Sequence, residues 1–242
     1  MIVTLSLNNF IVNFLAIKYL NKYIIKIILL IIIVYLIFQY KFINKCNNKL
    51  DIYEIENPQK KEFEELINAK YPTIFTNVCE NFFDLQQYTI YDIYKFKKKQ
   101  RAKLEKNLKT HFAYYNIQFI SKYNFNLSLD VANTSSNITR CTGSRFLLCQ
   151  LIGSKKIVLF SPQSKPQLYI NNQTGNSFLN YFTSDHSKYK NLESVPHIEI
   201  VLYPGQMLFI PFKWYWCYYN EENGASVTLN SESIFTNLLK RN

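Results

Sequence analysis

The sequence of 242 residues contains little glycine, three histidines, no internal repeat and no closely spaced pair of cysteines. Its five cysteines lie at irregular intervals without a C-x-x-C pair, which excludes a zinc knuckle and a regular disulfide framework. Because their number is odd, a fully paired set is excluded as well. We therefore predict that the cysteines are mostly buried thiols.

One segment near the N-terminus is apolar enough to cross a membrane. Ile27 to Phe38 reads IILLIIIVYLIF, and extension to Tyr23 and Tyr40 gives 18 residues, near the short limit of roughly 17–25 for a transmembrane helix. We predict a retained single-pass helix over residues 23–40. A buried core helix is less favoured because the run has no polar face, and a cleaved signal peptide would need small residues after it.

The orientation of this helix stays open. Lysines flank it almost equally, with Lys18, Lys22 and Lys26 on one side and a matching group from Lys41 to Lys49 on the other. The positive-inside rule therefore does not decide between the two orientations, and the sequence does not name the membrane.

Much of the formal charge of +11 comes from residues 95–109, which carry eight cations and one carboxylate, a local charge of +7. A solvated helix face is the ordinary interpretation, and a contact for anionic lipid or nucleic acid is the functional one. Few aromatic residues interleave there, so stacking on single-stranded nucleic acid is not indicated. The cations are Lys95, Lys97, Lys98, Lys99, Arg101, Lys103, Lys106 and Lys109.

The remainder predicts a mainly β domain. We divide the chain into an N-terminal segment at 1–22, the helix at 23–40, a linker at 41–54 and a domain at 55–242. Asn57-Pro58 predicts the start of a helix that ends near Ala69, and residues 73–78 predict a strand. Short β-rich runs separated by turns then favour a sandwich or barrel. These runs are Lys156–Phe160, His197–Leu202, Met207–Ile210 and Ser226–Leu229.

Two motifs are more specific than general β structure. Gln150 to Pro162 reads QLIGSKKIVLFSP, and Val201 to Trp214 reads VLYPGQMLFIPFKW. Their order and spacing resemble the JmjC and cupin-like family of Fe(II)- and 2-oxoglutarate-dependent oxygenases over about residues 55–235. The resemblance implies a double-stranded β-helix, a jelly-roll barrel with flanking N-terminal helices.

The resemblance also implies an iron site of two histidines and one carboxylate, with open positions for cosubstrate and oxygen. Counting from the motifs, the H-x-D positions fall on Arg140 and Thr142, and the second histidine falls on Trp216. A guanidinium and an indole offer only donors, so the metal positions are degenerate. The three histidines, His111, His186 and His197, do not restore the spacing.

Part of the cosubstrate pocket is retained in the sequence. Lys155 matches the lysine that pairs with the far carboxylate of 2-oxoglutarate in part of the family, and Asn230 matches a late strand position that points into the same pocket. We expect Arg140 to add a positive charge near the position of the missing metal, and Trp216 to fill that position if it points inward. Lys155 as an ordinary surface lysine is the competing interpretation.

Two functions from different classes follow. The first is a membrane-anchored JmjC or cupin-like domain without catalytic activity or cofactor, which acts as a binding or scaffold module for a protein partner. The alternative is an Fe(II)/2-oxoglutarate-dependent hydroxylase or demethylase with an atypical site. Four N-x-S/T triplets, at Asn126, Asn133, Asn137 and Asn172, would be usable if the domain were lumenal.

Overall fold

The computed structural model describes residues 23–42, 44–78 and 122–232, together with Ala102 and Lys106. The chain divides into two units between Lys45 and Cys46. In the first unit, helix α1 (Tyr23–Phe42) has 20 residues and a mean hydropathy of 2.4, and its apolar surface is exposed among the described residues. By length and composition α1 could cross a membrane.

The structure describes only one cation of the basic segment 95–109. Lys106 is helical and exposed. The other seven cations lie outside the described residues: Lys95, Lys97, Lys98, Lys99, Arg101, Lys103 and Lys109.

The second unit is mainly β, as predicted. Six strands form one sheet in the order β1-β2-β8-β5-β10-β3, and four form another in the order β4-β9-β6-β7. The strands are β1 Tyr53–Glu56, β2 Thr73–Thr76, β3 Lys122–Asp130, β4 Thr139–Arg140, β5 Arg145–Ile152, β6 Lys155–Phe160, β7 His197–Leu202, β8 Met207–Ile210, β9 Tyr215–Asn220 and β10 Gly224–Glu232. A 3₁₀ helix (Pro162–Gln167) and a short helix α3 (Lys190–Glu193) lie between β6 and β7.

The path of the chain between the sheets is consistent with a jelly roll. From β3 to β10 the chain crosses repeatedly from one sheet to the other, and the strands pair as β8-β5-β10-β3 and β4-β9-β6-β7. The turn before β8 needs glycine because Gly205 has a φ of +86°. Its N–H donates to the Gln150 carbonyl at 2.9 Å, which joins the two sequence motifs.

Three apolar layers fill and cover the barrel. The inner layer lies between the sheets, the second lies on the outer face of the six-stranded sheet, and the third lies under the segment from β6 to β7. The inner layer contains Ile74, Cys141, Leu148, Ile157, Leu159, Ile200, Leu202, Leu208, Ile210 and Trp214.

Helix α2 (Lys60–Ala69) covers the outer face of the six-stranded sheet. It buries Phe63, whose ring lies 4.7 Å from that of Phe75 in β2. The Arg145 guanidinium of β5 donates to both carboxylate oxygens of Glu64, at 3.1 and 2.6 Å. The helix is therefore held by an apolar contact and a bidentate ion pair.

Two predicted boundaries are corrected. Asn57 does not cap α2, because it has a φ of +46° and the helix begins at Lys60, after the cap residue Gln59. The Gln59 N–H donates to the Glu62 carboxylate at 3.0 Å. Residues 46–54 are not a linker: the Trp214 indole donates to the Asn47 carbonyl at 3.0 Å, and Leu50 packs against the inner layer.

The prediction for the cysteines holds only in part. Cys141 and Cys217 are buried thiols, and Cys46 is a half-buried one. Cys149 in β5 is disulfide-bonded, with its partner outside the described residues. Widely separated cysteines can meet in a folded barrel, which spacing in the sequence does not show.

The packing of α2 gives the first testable prediction. Phe63→Ala should lower the free energy of unfolding by roughly 3–5 kcal/mol, because it leaves a cavity against Phe75. Lys61→Ala is the control, since Lys61 is 87% exposed and makes only a surface pair with Glu65 at 3.8 Å. Urea unfolding of the full chain in detergent measures both. Equal effects would contradict the assigned packing.

Candidate functional site in the barrel interior

A buried ion pair joins the two sheets inside the barrel. Lys155 Nζ, at the start of β6, lies 2.8 Å from Asp130 Oδ1, at the end of β3. The two side chains are 3% and 5% exposed. Lys155 Nζ also donates to the Ser226 hydroxyl at 2.8 Å, and that hydroxyl donates to Asp130 Oδ1 at 3.2 Å. The ammonium is thus neutralised by a carboxylate of the same chain.

Gln150 donates a hydrogen bond to the second oxygen of the Asp130 carboxylate. Its Nε2 donates to Asp130 Oδ2 at 3.2 Å and to the Ile152 carbonyl at 2.9 Å. Gln150 is fully buried, and its Oε1 has no hydrogen-bond partner among the described residues. Both oxygens of the Asp130 carboxylate therefore accept hydrogen bonds from buried side chains.

Burial and charge act in opposite directions on the Lys155 ammonium. Desolvation lowers the pKa of Lys155, and the neighbouring Asp130 carboxylate opposes that shift. The ammonium also lies 4.7 Å from the centre of the Tyr218 ring, a favourable cation–π contact. Burial, and then the charge of Asp130, raise the pKa of the Tyr218 hydroxyl, so that group stays protonated.

Aromatic rings continue the line of contacts from Tyr218. The Trp216 ring lies 5.9 Å from that of Tyr218 and 5.1 Å from that of Phe146 in the opposite sheet. All three pack against the inner layer. Trp216 therefore points into the barrel and fills the space between the sheets, while its indole offers only a donor.

Arg140 does not lie where the sequence suggested, because it does not face the barrel interior. Cross-strand partners share a face of the sheet, and Arg140 pairs with Tyr215, whereas Thr139 pairs with Trp216. Tyr215 belongs to the layer outside the four-stranded sheet. Burial raises the pKa of the Tyr215 hydroxyl, and the nearby Arg140 guanidinium opposes that shift. The backbone N–H of Arg140 donates to the Gly175 carbonyl at 3.2 Å. Arg140 therefore does not supply the expected second positive charge at the barrel centre.

Thr139 and Cys141 take the inner face of this part of the chain. Cys141 belongs to the inner layer, and its thiol donates to the Ile210 carbonyl at 3.4 Å. Thr142 is half-buried in the following turn. Counting from the motif had assigned the inner face to Arg140 and Thr142. The residues on that face each lie one position earlier, at Thr139 and Cys141.

Asn230 lies further along β10 than the residue that Lys155 contacts. The ammonium of Lys155 contacts Ser226, and Asn230 follows four residues later, a rise of roughly 13 Å along the strand from Ser226. Asn230 Oδ1 is buried without a hydrogen-bond partner among the described residues. It faces Gly143 so closely that any Cβ at position 143 would overlap it.

The two histidines that the structure describes bond to groups of their own neighbourhood. His197 Nδ1 lies 2.8 Å from the Val195 carbonyl, and its Nε2 lies 3.0 Å from the Tyr181 hydroxyl and 3.2 Å from Glu199. His186 Nε2 lies 2.7 Å from the Tyr181 carbonyl. In the described parts of the chain, no three His, Cys, Asp or Glu side chains are grouped so that they could hold a metal ion. His111 lies outside those parts.

Part of the second unit is similar to proteins of known family. Residues 143–231 match the cupin-like domain family. The match begins at the glycine beside Asn230 and includes both sequence motifs. It confirms the predicted resemblance to cupin-like and JmjC proteins.

Individual proteins show the same resemblance over part of their length. Human tRNA wybutosine-synthesizing protein 5 is 36% identical over 83 residues, which are 34% of this chain and 26% of that protein. JmjC domain-containing protein D of Dictyostelium discoideum is 37% identical over 73 residues, 28% of this chain and 16% of that protein. tRNA wybutosine-synthesizing protein 4 of Aspergillus oryzae is 32% identical over 128 residues, 48% of this chain and 12% of that protein. The chain thus matches about a quarter or less of the length of each.

The ion pair gives the second prediction. Asp130→Ala should lower the free energy of unfolding by about 3–5 kcal/mol, because it leaves the Lys155 ammonium buried without its counter-charge. The double variant Asp130→Ala with Lys155→Met should recover part of that loss. Urea unfolding in detergent measures both.

A partly exposed pair next to it supplies the control. Lys156 Nζ lies 3.3 Å from Glu221, and the two side chains are 46% and 35% exposed. Glu221→Ala should therefore cost less than about 1 kcal/mol. If Asp130→Ala cost no more than Glu221→Ala, the Lys155–Asp130 pair would not be a buried one.

Proposed function

We propose that this protein is a membrane-anchored cupin-like domain that has no oxygenase activity and acts as a binding or scaffold module. The observation that carries the proposal is the occupation of the barrel interior by the chain's own side chains. Lys155, the residue expected to bind the far carboxylate of 2-oxoglutarate, is instead paired with Asp130 at 2.8 Å.

Among the described residues, the side chains of the barrel interior do not fit the metal and cosubstrate of the oxygenase family that the sequence resembles. A dicarboxylate entering beside Lys155 would have to displace Asp130 or lie next to a carboxylate of the same charge, which is unfavourable in a buried site. Trp216 cannot ligate iron, and Arg140 lies on the other face of its strand. Thr139 and Cys141, which take the inner face, do not make a two-histidine, one-carboxylate set.

This interpretation predicts the outcome of a metal and cosubstrate assay. The full chain, purified in detergent and treated with Fe(II), ascorbate and 2-oxoglutarate, should retain less than about one tenth of an iron per chain and form no succinate. Elemental analysis and succinate detection measure this. A 2-oxoglutarate oxygenase of known activity is the control.

The competing function has a distinct signature. A working hydroxylase or demethylase with an atypical site would retain stoichiometric iron and oxidise 2-oxoglutarate. Its turnover would be lost in Lys155→Met and after iron removal. That result would overturn the proposed inactivity, whereas metal without 2-oxoglutarate turnover would overturn only the absence of a metal site.

The anchor rests on the composition and exposure of α1. Every residue from Tyr23 to Phe38 is exposed in the chain by itself, and all but Lys26 are apolar or aromatic. So large an apolar surface is stable only when it is removed from water. A bilayer accepts a helix of this length without another protein partner.

Charged residues at the centre of α1 test the anchor. Leu30→Lys combined with Ile33→Lys should move the protein from the carbonate-resistant membrane fraction to the soluble fraction, because each lysine costs about 3 kcal/mol at the centre of a spanning helix. The control is Leu30→Ile with Ile33→Leu, which preserves hydrophobicity. A double-lysine variant that stays in the membrane would contradict the assignment.

A further inference from the structure

The disulfide at Cys149 bears on where the domain folds. Cys149 lies in β5, inside the six-stranded sheet, and is 1% exposed. Its disulfide is therefore part of the core. Disulfides form and persist in secretory and extracellular compartments and are rare in the cytosol, where thiols are kept reduced. The remaining cysteines that the structure describes are buried or half-buried, as thiols in such a compartment need to be to avoid mispairing.

The four N-x-S/T triplets are an independent observation. The asparagine is exposed in each of them, so none is excluded by burial: Asn126, Asn133, Asn137 and Asn172. The four triplets differ in whether the asparagine or its hydroxyl residue takes part in the structure of the domain. Asn126 lies within strand β3, and Asn133 Oδ1 accepts a hydrogen bond from the Tyr219 hydroxyl at 2.7 Å. Thr139, the hydroxyl residue of the Asn137 triplet, lies in β4 opposite Trp216.

Asn172 lies in the setting that best accommodates a glycan. Residues 171–174 are all exposed and form a turn. Asn171 Oδ1 shapes this turn by accepting the N–H groups of Gln173, at 2.8 Å, and Thr174, at 3.4 Å. The Asn172 side chain makes no hydrogen bond within the described residues, so its amide is not needed by the fold. An attached sugar would extend into solvent without displacing a strand.

We propose that the part of the chain after α1 lies on the oxidising side of a membrane, lumenal or external, and carries an N-linked glycan at Asn172. The inference rests on the proposed function in one respect: the membrane helix α1 keeps the domain at that membrane. The side of the membrane on which the domain lies is argued independently of α1. It supplies the orientation that the balanced lysines around α1 leave open.

Both modifications use reactants of that compartment. In glycan transfer, a bond forms between Asn172 Nδ2 and the first sugar carbon, and the bond from that carbon to a polyisoprenyl pyrophosphate breaks. The amide loses one proton, and the lipid pyrophosphate is the leaving group. In disulfide formation, Cys149 and its partner lose two protons and two electrons to the disulfide of an oxidoreductase, which becomes a dithiol.

Translation of the full chain with endoplasmic reticulum microsomes tests the proposal. The domain should be protected from added protease until detergent is present, and a glycosidase should increase its electrophoretic mobility. Asn172→Gln should reduce the glycosidase-dependent mobility shift by the amount that corresponds to one glycan. The control is Asn176→Gln, which changes an exposed asparagine of the same loop that is not part of an N-x-S/T triplet. Denaturing alkylation without reductant should leave two of the five cysteines unmodified until reductant is added.

The outcomes separate this inference from the proposed function. Digestion of the domain by external protease, with no glycosidase shift, overturns the orientation even if the protein stays in the membrane. A glycosylated, protected product that carbonate extracts supports the orientation and contradicts the anchor. An unchanged glycan pattern in Asn172→Gln overturns the assignment of Asn172, and five reactive cysteines without reductant overturn the disulfide.

Discussion

The pairing of Lys155 with Asp130 is the constraint on which the barrel interior depends. The two charges lie on different sheets, β6 and β3, and Ser226 on β10 holds both. Neither charge is stable alone in the interior, because the penalty for an uncompensated buried ion is several kcal/mol. The sheets must therefore close in the register that brings these strand ends together. The apolar inner layer then packs next to the fixed cluster of Lys155, Asp130 and Ser226.

The same pair determines what the interior can bind. Once Asp130 neutralises Lys155, no net positive charge remains there to attract an anion, and the aromatic line from Tyr218 through Trp216 to Phe146 occupies the adjoining space. Under the proposed function, interaction would then fall to the outer surfaces of the domain. This is why the proposed function assigns the protein to binding and anchoring.

Alternation and turns predicted much of the fold from the sequence. The strands at His197–Leu202 and Met207–Ile210 have the predicted bounds, because Pro204-Gly205 separates two short β-rich runs. Asp130 was missed because its partner is 25 residues away and no motif includes it. The polar residues that alternate with Phe125, Leu127 and Leu129 in β3 did carry a signal, since they give Asp130 the inner face. The disulfide at Cys149 had no such signal.

The position of Arg140 follows from the same charge balance. Side chains alternate between faces, so an offset of one residue exchanges the inner and outer sets. With Arg140 on the inner face, the barrel would enclose two cations near one described carboxylate, and the surplus charge would have no counter-ion in a buried site. On the outer face, Arg140 lies opposite Tyr215 in the sheet, and its backbone N–H donates to the Gly175 carbonyl. The inner positions then go to Thr139 and Cys141, which carry no charge and therefore need no counter-ion in the buried interior.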